Sequence, residues 1–229
     1  MVRCFVTAVL VAVLAAGCGS ARAAAPRTIT LTLVRHAQSA GNASGLIDTS
    51  TPGPELTPEG WCQAALAAGQ LSSNHYDGIY ASTMIRTQET ATPTAQALGE
   101  TVSVLPGLRE IEAGQYEGQP ESNAKAYLAV PMRWLQGDRS ARIPGSLDGN
   151  QFEVRFDDAV QHIYDSGEQN PVAFSHGGAI MIWSLMNVRN PDRSLLTSKP
   201  LPNMGRVVVT GNPSDGWKLT EWDADPPPC

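Results

Sequence analysis

The chain has 229 residues and a formal net charge of −6, with only 17% charged residues. That length suffices for one domain with a sizeable core, and the acidic balance argues against a nucleic-acid binder, which is expected to be basic. Glycine and proline are numerous, 21 and 17, which points to long ordered loops and away from a helical bundle.

The first residues read as an address. Arg3 supplies a positive start and Phe5 to Ala16 is almost wholly apolar. That run is shorter than the ~20 residues a membrane-spanning helix needs and fits a signal peptide. Leu14-Ala15-Ala16-Gly17-Cys18 resembles a bacterial lipobox. The expectation is a signal peptide over residues 1–17, cleavage before Cys18, lipidation of its thiol, and a membrane anchor on the extracytoplasmic side. The alternative is ordinary cleavage after Ala21-Arg22-Ala23 and secretion. Residues 18–27 then form a short tether and residues 28–229 one domain without internal repeats. Of the remaining cysteines, Cys62 and Cys229 either pair, as two leftover thiols do outside the cytosol, or stay free with Cys62 buried in a helix. Neither has the spacing of a metal site.

In chain order, Ile29, Leu31 and Leu33 alternate with Thr28, Thr30 and Thr32, which predicts a strand. It delivers Arg35 and His36 to its carboxyl end, before a small polar loop through Asn42; this is the usual layout of a site in an open α/β sheet. A guanidinium grips phosphate through its fork, and a neutral imidazole is a nucleophile near pH 7. Thr57-Pro58 opens a helix that runs to about Ser72, with Cys62, Leu66 and Leu71 toward the core. A second strand spans Asp77 to Ser82 and leads into a helix whose first turn carries Arg86, where an anion meets both a guanidinium and a positive helix end. A third strand covers Thr101 to Leu105. Four acids follow it, Glu110, Glu112, Glu117 and Glu121, each a candidate proton donor.

A helical piece from Ser122 to Leu135 is interrupted by Pro131. Arg133, Arg139 and Arg142 read as surface charges, with contact to an acidic substrate as the alternative. Phe152 to Tyr164 has helical spacing. Val172 to Phe174 is a short buried strand with His176 at its end. Gly177 and Gly178 permit close backbone approach, and the helix they open aims free N–H groups at the same spot. Asn187 to Asn203 is a connection, and residues 205–222 form a hairpin at the sheet edge. His75 and His162 lie in no such context and read as surface residues.

Arg35-His36-Ala37 resembles the Arg-His-Gly motif of the histidine phosphatase superfamily, with Ala37 in place of the glycine. Leu56-Thr57-x-x-Gly60, Arg86-x-x-x-Thr90, Leu108-x-Glu110 and Ser175-His176-Gly177-Gly178 resemble further segments of that family, in its order, over about Thr30 to Trp222. The resemblance implies an α/β fold: a three-layer α/β/α sandwich with a mainly parallel central sheet. It implies a phosphatase of small phosphorylated substrates in which His36 carries the phosphoryl group. Arg35 and Arg86 would hold its oxygens, while His176 and the Gly177 N–H add donors. Ser39 and Asn42 would line the phosphate pocket, and Glu110 would protonate the leaving oxygen. It calls for no cofactor and no metal. Residues 143–149 agree with the family's phosphatase pattern only at Pro144 and Gly145, which leaves the substrate open. The alternatives are a mutase-like phosphoryl transferase and a non-catalytic surface lipoprotein that binds a phosphorylated ligand.

Overall fold

The computed structural model describes residue 1, residues 26–226 and residue 229. The expected signal peptide, the Cys18 lipidation site and all but the end of the tether lie outside the described residues. The elements are β1 (Ile29–Arg35), α1 (Ala40–Ser44), α2 (Pro58–Leu71), β2 (Gly78–Ala81), α3 (Ile85–Leu98), β3 (Val102–Val104), α4 (Ala124–Leu135), α5 (Gly149–Asp165), β4 (Pro171–Ser175), α6 (Gly177–Asn187), α7 (Leu195–Ser198), β5 (Arg206–Asn212) and β6 (Gly216–Asp223).

The strands form one sheet in the order β3-β2-β4-β1-β5-β6. Strands β3, β2, β4 and β1 run parallel, and the β5–β6 hairpin adds an antiparallel edge to β1. Alternation in β1 sets the two faces. Ile29, Leu31 and Leu33 join a core with Phe152 and Phe156 of α5 and Ile180 and Trp183 of α6. Val34 joins a second core with Ala64, Ala67 and Leu71 of α2 and Ala91 and Ala95 of α3. Helices therefore cover both faces, and the molecule is a three-layer α/β fold around a mixed sheet.

Helix α2 turns a different face inward from the one its larger side chains suggest. Its buried residues are Gly60, Ala64, Ala67, Ala68 and Leu71, whereas Leu66 is 47% exposed and Cys62 lies outside. Close packing explains the choice: a Cβ at Gly60 would stand 2.0 Å from the Gln38 carbonyl oxygen, so small residues face the sheet. Cys62, on the outer side, forms a disulfide with Cys229, Cα to Cα 6.0 Å. Helix α4 runs unbroken through Pro131. The lost backbone bond is offset by an apolar face of Tyr127, Trp134 and Leu135, with Trp134 stacked on Phe152 at 5.6 Å. Helix α5 starts three residues before Phe152, because Asp148 and Gln151 form a capping box.

Candidate active site

Strands β1 and β4 lie side by side with Arg35 opposite Ser175. The chain leaves β1 for the α2 face and leaves β4 for the α6 face. The divergence opens a cleft beyond the carboxyl ends of the two strands. His36 and His176 each sit one residue past their strand, so their rings meet edge to face, centroids 5.1 Å apart. Strand β2, on the other side of β4, delivers Ser82 and then Arg86 in the first turn of α3. A cavity of about 260 Å³ opens here, lined among others by Arg35, His36, Ser39, Asn42, Arg86, Glu110 and Gly177.

His36 is 4% exposed. Its Nδ1–H donates to the Ala37 carbonyl at 2.7 Å, and Arg86 Nε–H donates to its Nε2 at 3.1 Å. Those bonds fit a neutral ring with its lone pair on Nε2. Burial, reinforced by the Arg86 and Arg35 charges, holds its pKa well below the ordinary histidine value. Ala37 fits where the motif has glycine because its φ is not positive; among the described residues the non-glycine residues with positive φ are His75 and Met204. The Ala37 N–H donates to Thr90 Oγ1 at 3.0 Å, and the Thr90 hydroxyl donates to the Arg86 carbonyl at 2.6 Å. Thr90 thus ties the chain that follows β1 to the helix that carries Arg86.

Arg35 Nη1 donates to the Leu201 carbonyl at 2.6 Å, and Arg86 Nη2 to the Asp48 carbonyl at 3.2 Å. Burial pulls the pKa of both guanidinium groups down, and Glu110 opposes it. Three buried nitrogen atoms on residues neighbouring His36 have no partner: Arg35 Nε, Arg86 Nη1 and His176 Nδ1. A buried donor left unpaired costs about 1–3 kcal/mol, so the two guanidinium nitrogens, with an imidazole nitrogen whose role depends on its tautomer, suit this end of the cavity to an anion.

The four acids take different places, and Glu110 and Glu121 line the cavity. Glu110 Oε1 accepts from the Ile111 and Ala179 N–H groups at 2.9 and 2.7 Å, and its Oε2 from the Gly178 N–H at 3.1 Å. The first amides of α6 therefore hold this acid, where the sequence suggests that they face a ligand. Gly178 is required for the approach, since a Cβ there would stand 2.8 Å from Glu110 Oε1. The loop is held from behind by Arg155, which donates to the Arg109 and Glu110 carbonyls at 2.8 and 3.0 Å, and by Tyr127, whose hydroxyl donates to the Ile111 carbonyl at 2.5 Å. Burial keeps the Tyr127 phenol pKa well above its ordinary value, so it remains a donor. Glu112 pairs with Arg155 and Arg109, Glu117 accepts from the Thr49 N–H and hydroxyl, and Glu121 is exposed at the cavity lining.

Ser39 lines the cavity, but its hydroxyl caps α1 and donates to Asn42 Oδ1. Asn42 Oδ1 also accepts from Asn203 Nδ2 at 3.2 Å, and the same Asn203 nitrogen donates to the His36 carbonyl at 2.9 Å. His176 is fully buried behind the lining residues, with Nε2 2.8 Å from Ser82 Oγ. Arg133, Arg139 and Arg142 pair locally with Asp138, Glu153 and Asp148 and do not line the cavity. His75 and His162 are exposed. Among the described residues, no group of three or more His, Cys, Asp and Glu side chains is placed to hold a metal ion.

Sequence reasoning missed Ser82, Leu201 and Asn203. Ser82 stands in the segment that flags Arg86 and was open to recognition; Leu201 acts through its carbonyl, and nothing local marks Asn203.

The model of the histidine phosphatase superfamily (branch 1) matches residues 31–225. A PE-PGRS family protein of Mycobacterium tuberculosis is 43% identical over 217 residues, covering 87% of this chain and 37% of its own length. This chain thus spans little more than a third of that relative. A putative phosphoserine phosphatase 2 of Hydrogenobacter thermophilus is 33% identical over 151 residues, 66% of this chain and 74% of its own. Among solved structures, a mycobacterial glucosyl-3-phosphoglycerate phosphatase in complex with VO3 superposes with a TM-score of 0.70 at 22% identity, over 86% of this chain and 100% of that one.

Proposed function

The chain belongs to the histidine phosphatase superfamily, branch 1, and on that premise we propose that it hydrolyses phosphate monoesters through a phosphohistidine. The observation that carries this reading is a buried neutral His36, lone pair on Nε2, among three unpartnered nitrogen atoms of Arg35, Arg86 and His176. Nε2 attacks phosphorus, the ester P–O bond breaks, and the leaving oxygen takes its electron pair and a proton from Glu110. Water then attacks phosphorus, the P–N bond breaks and returns its electron pair to His36 Nε2, and the water gives a proton back to the Glu110 carboxylate as phosphate is released. Arg35 and Arg86 hold the equatorial oxygens, where transition-state charge gathers. Oε2 of Glu110 accepts one backbone N–H where Oε1 accepts two, which leaves Oε2 the less engaged oxygen of the pair.

Hydrolysis is favoured over a mutase by the cavity lining. Its cations are Arg35 and Arg86, both assigned to the phosphoryl group, and its other wall carries Leu46, Leu128, Met181 and Leu201. A mutase must hold and rebind a second anionic group, and among the described residues no further lining cation serves it. Phosphate release from glycerol phosphate, phosphoserine, 3-phosphoglycerate and p-nitrophenyl phosphate tests the reading. Wild-type turnover that His36→Ala loses, with acid-labile and alkali-stable labelling of His36, supports it. A folded wild type that turns over none of these esters overturns it.

The same proposal places the enzyme outside the cytosol, anchored through Cys18. The sequence of residues 1–18 supports this, as does the Cys62–Cys229 disulfide, a bond expected in an oxidising compartment. Fractionation of cells expressing Cys18→Ser checks it: the protein should leave the membrane fraction, and unchanged membrane retention would argue for another anchor.

A further inference from the structure

We propose that Ser82 is a positioning residue that sets the tautomer of His176, so that this imidazole presents an Nδ1–H donor to the bound phosphoryl group. The inference rests on the phosphoryl-transfer reading above. Ser82 directly follows β2 and is fully buried. Its N–H donates to the Phe174 carbonyl at 3.2 Å, which sets it beside the end of β4. Its Oγ lies 2.8 Å from His176 Nε2 and 2.9 Å from Thr87 Oγ1, and accepts the Met84 N–H at 3.1 Å.

The protons can be counted. Thr87 has one hydroxyl proton, and its best acceptor is the Met84 carbonyl at 2.7 Å, ahead of the Ser82 carbonyl at 3.2 Å. Thr87 therefore donates away from Ser82 Oγ. The Ser82 proton then has two destinations. If it goes to His176 Nε2, the imidazole carries its hydrogen on Nδ1. If it goes to Thr87 Oγ1, His176 must donate from Nε2 into the Ser82 lone pair, and Nδ1 is left as a bare acceptor. A neutral ring cannot be protonated at both nitrogens. Burial, with the charges of Arg86 and Arg35 nearby, holds the His176 pKa well below its ordinary value, so the ring is neutral and the choice is real.

The unpartnered Nδ1 decides it. That atom is buried beside His36 and has no hydrogen-bond partner. A phosphoryl group carried on His36 Nε2 stands next to the His176 ring, whose centroid is 5.1 Å from that of His36, and its oxygen is repelled by a lone pair on Nδ1 and held by an N–H. Binding of the anion therefore selects the arrangement in which Ser82 donates to Nε2. The hydroxyl does for His176 what the Ala37 carbonyl does for His36: each ring is fixed through one nitrogen, and the other is left with the proton state that the chemistry needs.

Nitrogen-15 NMR of the histidine rings in the intact protein, with and without orthophosphate, reads the tautomer directly. With orthophosphate bound, His176 should show a protonated Nδ1 and an unprotonated Nε2. Ser82→Ala should move the proton toward Nε2 and lower kcat by up to about 10²–10³-fold with little change in KM, the loss expected on removing one transition-state donor. Ser82→Thr, which keeps the hydroxyl, should restore both readouts in large part. A wild type that binds orthophosphate and hydrolyses esters while His176 carries its proton on Nε2 overturns the inference and leaves the phosphatase reading standing. A Ser82→Ala protein with unchanged tautomer and kcat overturns it as well. If the variant does not fold, the wild-type spectrum decides alone. A folded wild type that neither binds orthophosphate nor turns over any ester removes both readings together.

Discussion

The floor of the cleft and its α4 wall use their polar groups differently. On the floor, at the ends of β1, β2 and β4, His36, Ser82, Arg86, Thr87, Thr90, Ser175 and His176 are all buried and bonded to one another or to neighbouring backbone. On the wall, Ala124, Tyr127 and Leu128 of α4 face the cavity, and the arginines beyond them pair with close neighbours. A floor built of mutual bonds holds one geometry, so a change there alters the reaction. A wall of apolar contacts selects by shape, so on the proposed reaction a change there should alter which alcohol fits.

The largest test of that contrast is His36→Ala, which should lower phosphate release on the order of 10⁴-fold or more. Residual turnover within tenfold of wild type would move the nucleophile elsewhere. Next comes Glu110→Gln, expected to lower kcat by about 10²–10⁴-fold on alkyl phosphates and much less on p-nitrophenyl phosphate, whose leaving group needs no proton. Glu121→Gln, at the rim, should leave kcat within about threefold on both, as befits an exposed carboxylate with weak coupling; the reverse ranking would exchange their roles. On the wall, Leu128→Ala should raise KM several-fold and spare kcat, the pattern of lost uniform binding. An equal fall in kcat would put α4 in the chemistry.

Stability gives a smaller signal from the same floor. His36 and His176 have folded-state pKa values well below the ordinary value, with burial as the first cause. Below about pH 6.5 the unfolded chain takes up protons at these residues and the folded chain does not. Stability contributed by keeping them neutral is therefore complete above that value and declines as pH falls toward the folded pKa. Urea unfolding at pH 7 and pH 5 should show the loss, and His176→Asn should reduce the slope. A wild-type midpoint that is flat over this range would contradict the burial argument. The disulfide is a comparison far from the cleft: Cys62→Ser should cost about 2–4 kcal/mol of stability without moving kcat, measured on purified protein under oxidising conditions.

The sequence by itself determined the strands and most of the long helices, though not the short α1 and α7 or the continuity of α4 through Pro131, and it marked the candidate site side chains. Alternation marked β1, Thr57-Pro58 marked the start of α2, and Arg35, His36, Arg86, Glu110 and His176 stand in recognisable local settings. These signals act over a few residues, which is the range of backbone propensity and capping. Tertiary structure alone decided the rest. The Leu201 carbonyl reaches Arg35 from 166 positions away, and Ser82 reaches His176 across 94. The inward face of α2 went to alanines because Gly60 crosses the Gln38 backbone, and the amides of α6 went to Glu110 because Gly178 leaves room for a carboxylate. Each depends on which strands pair and how closely two backbones pass, and neither quantity is carried by any short stretch of sequence.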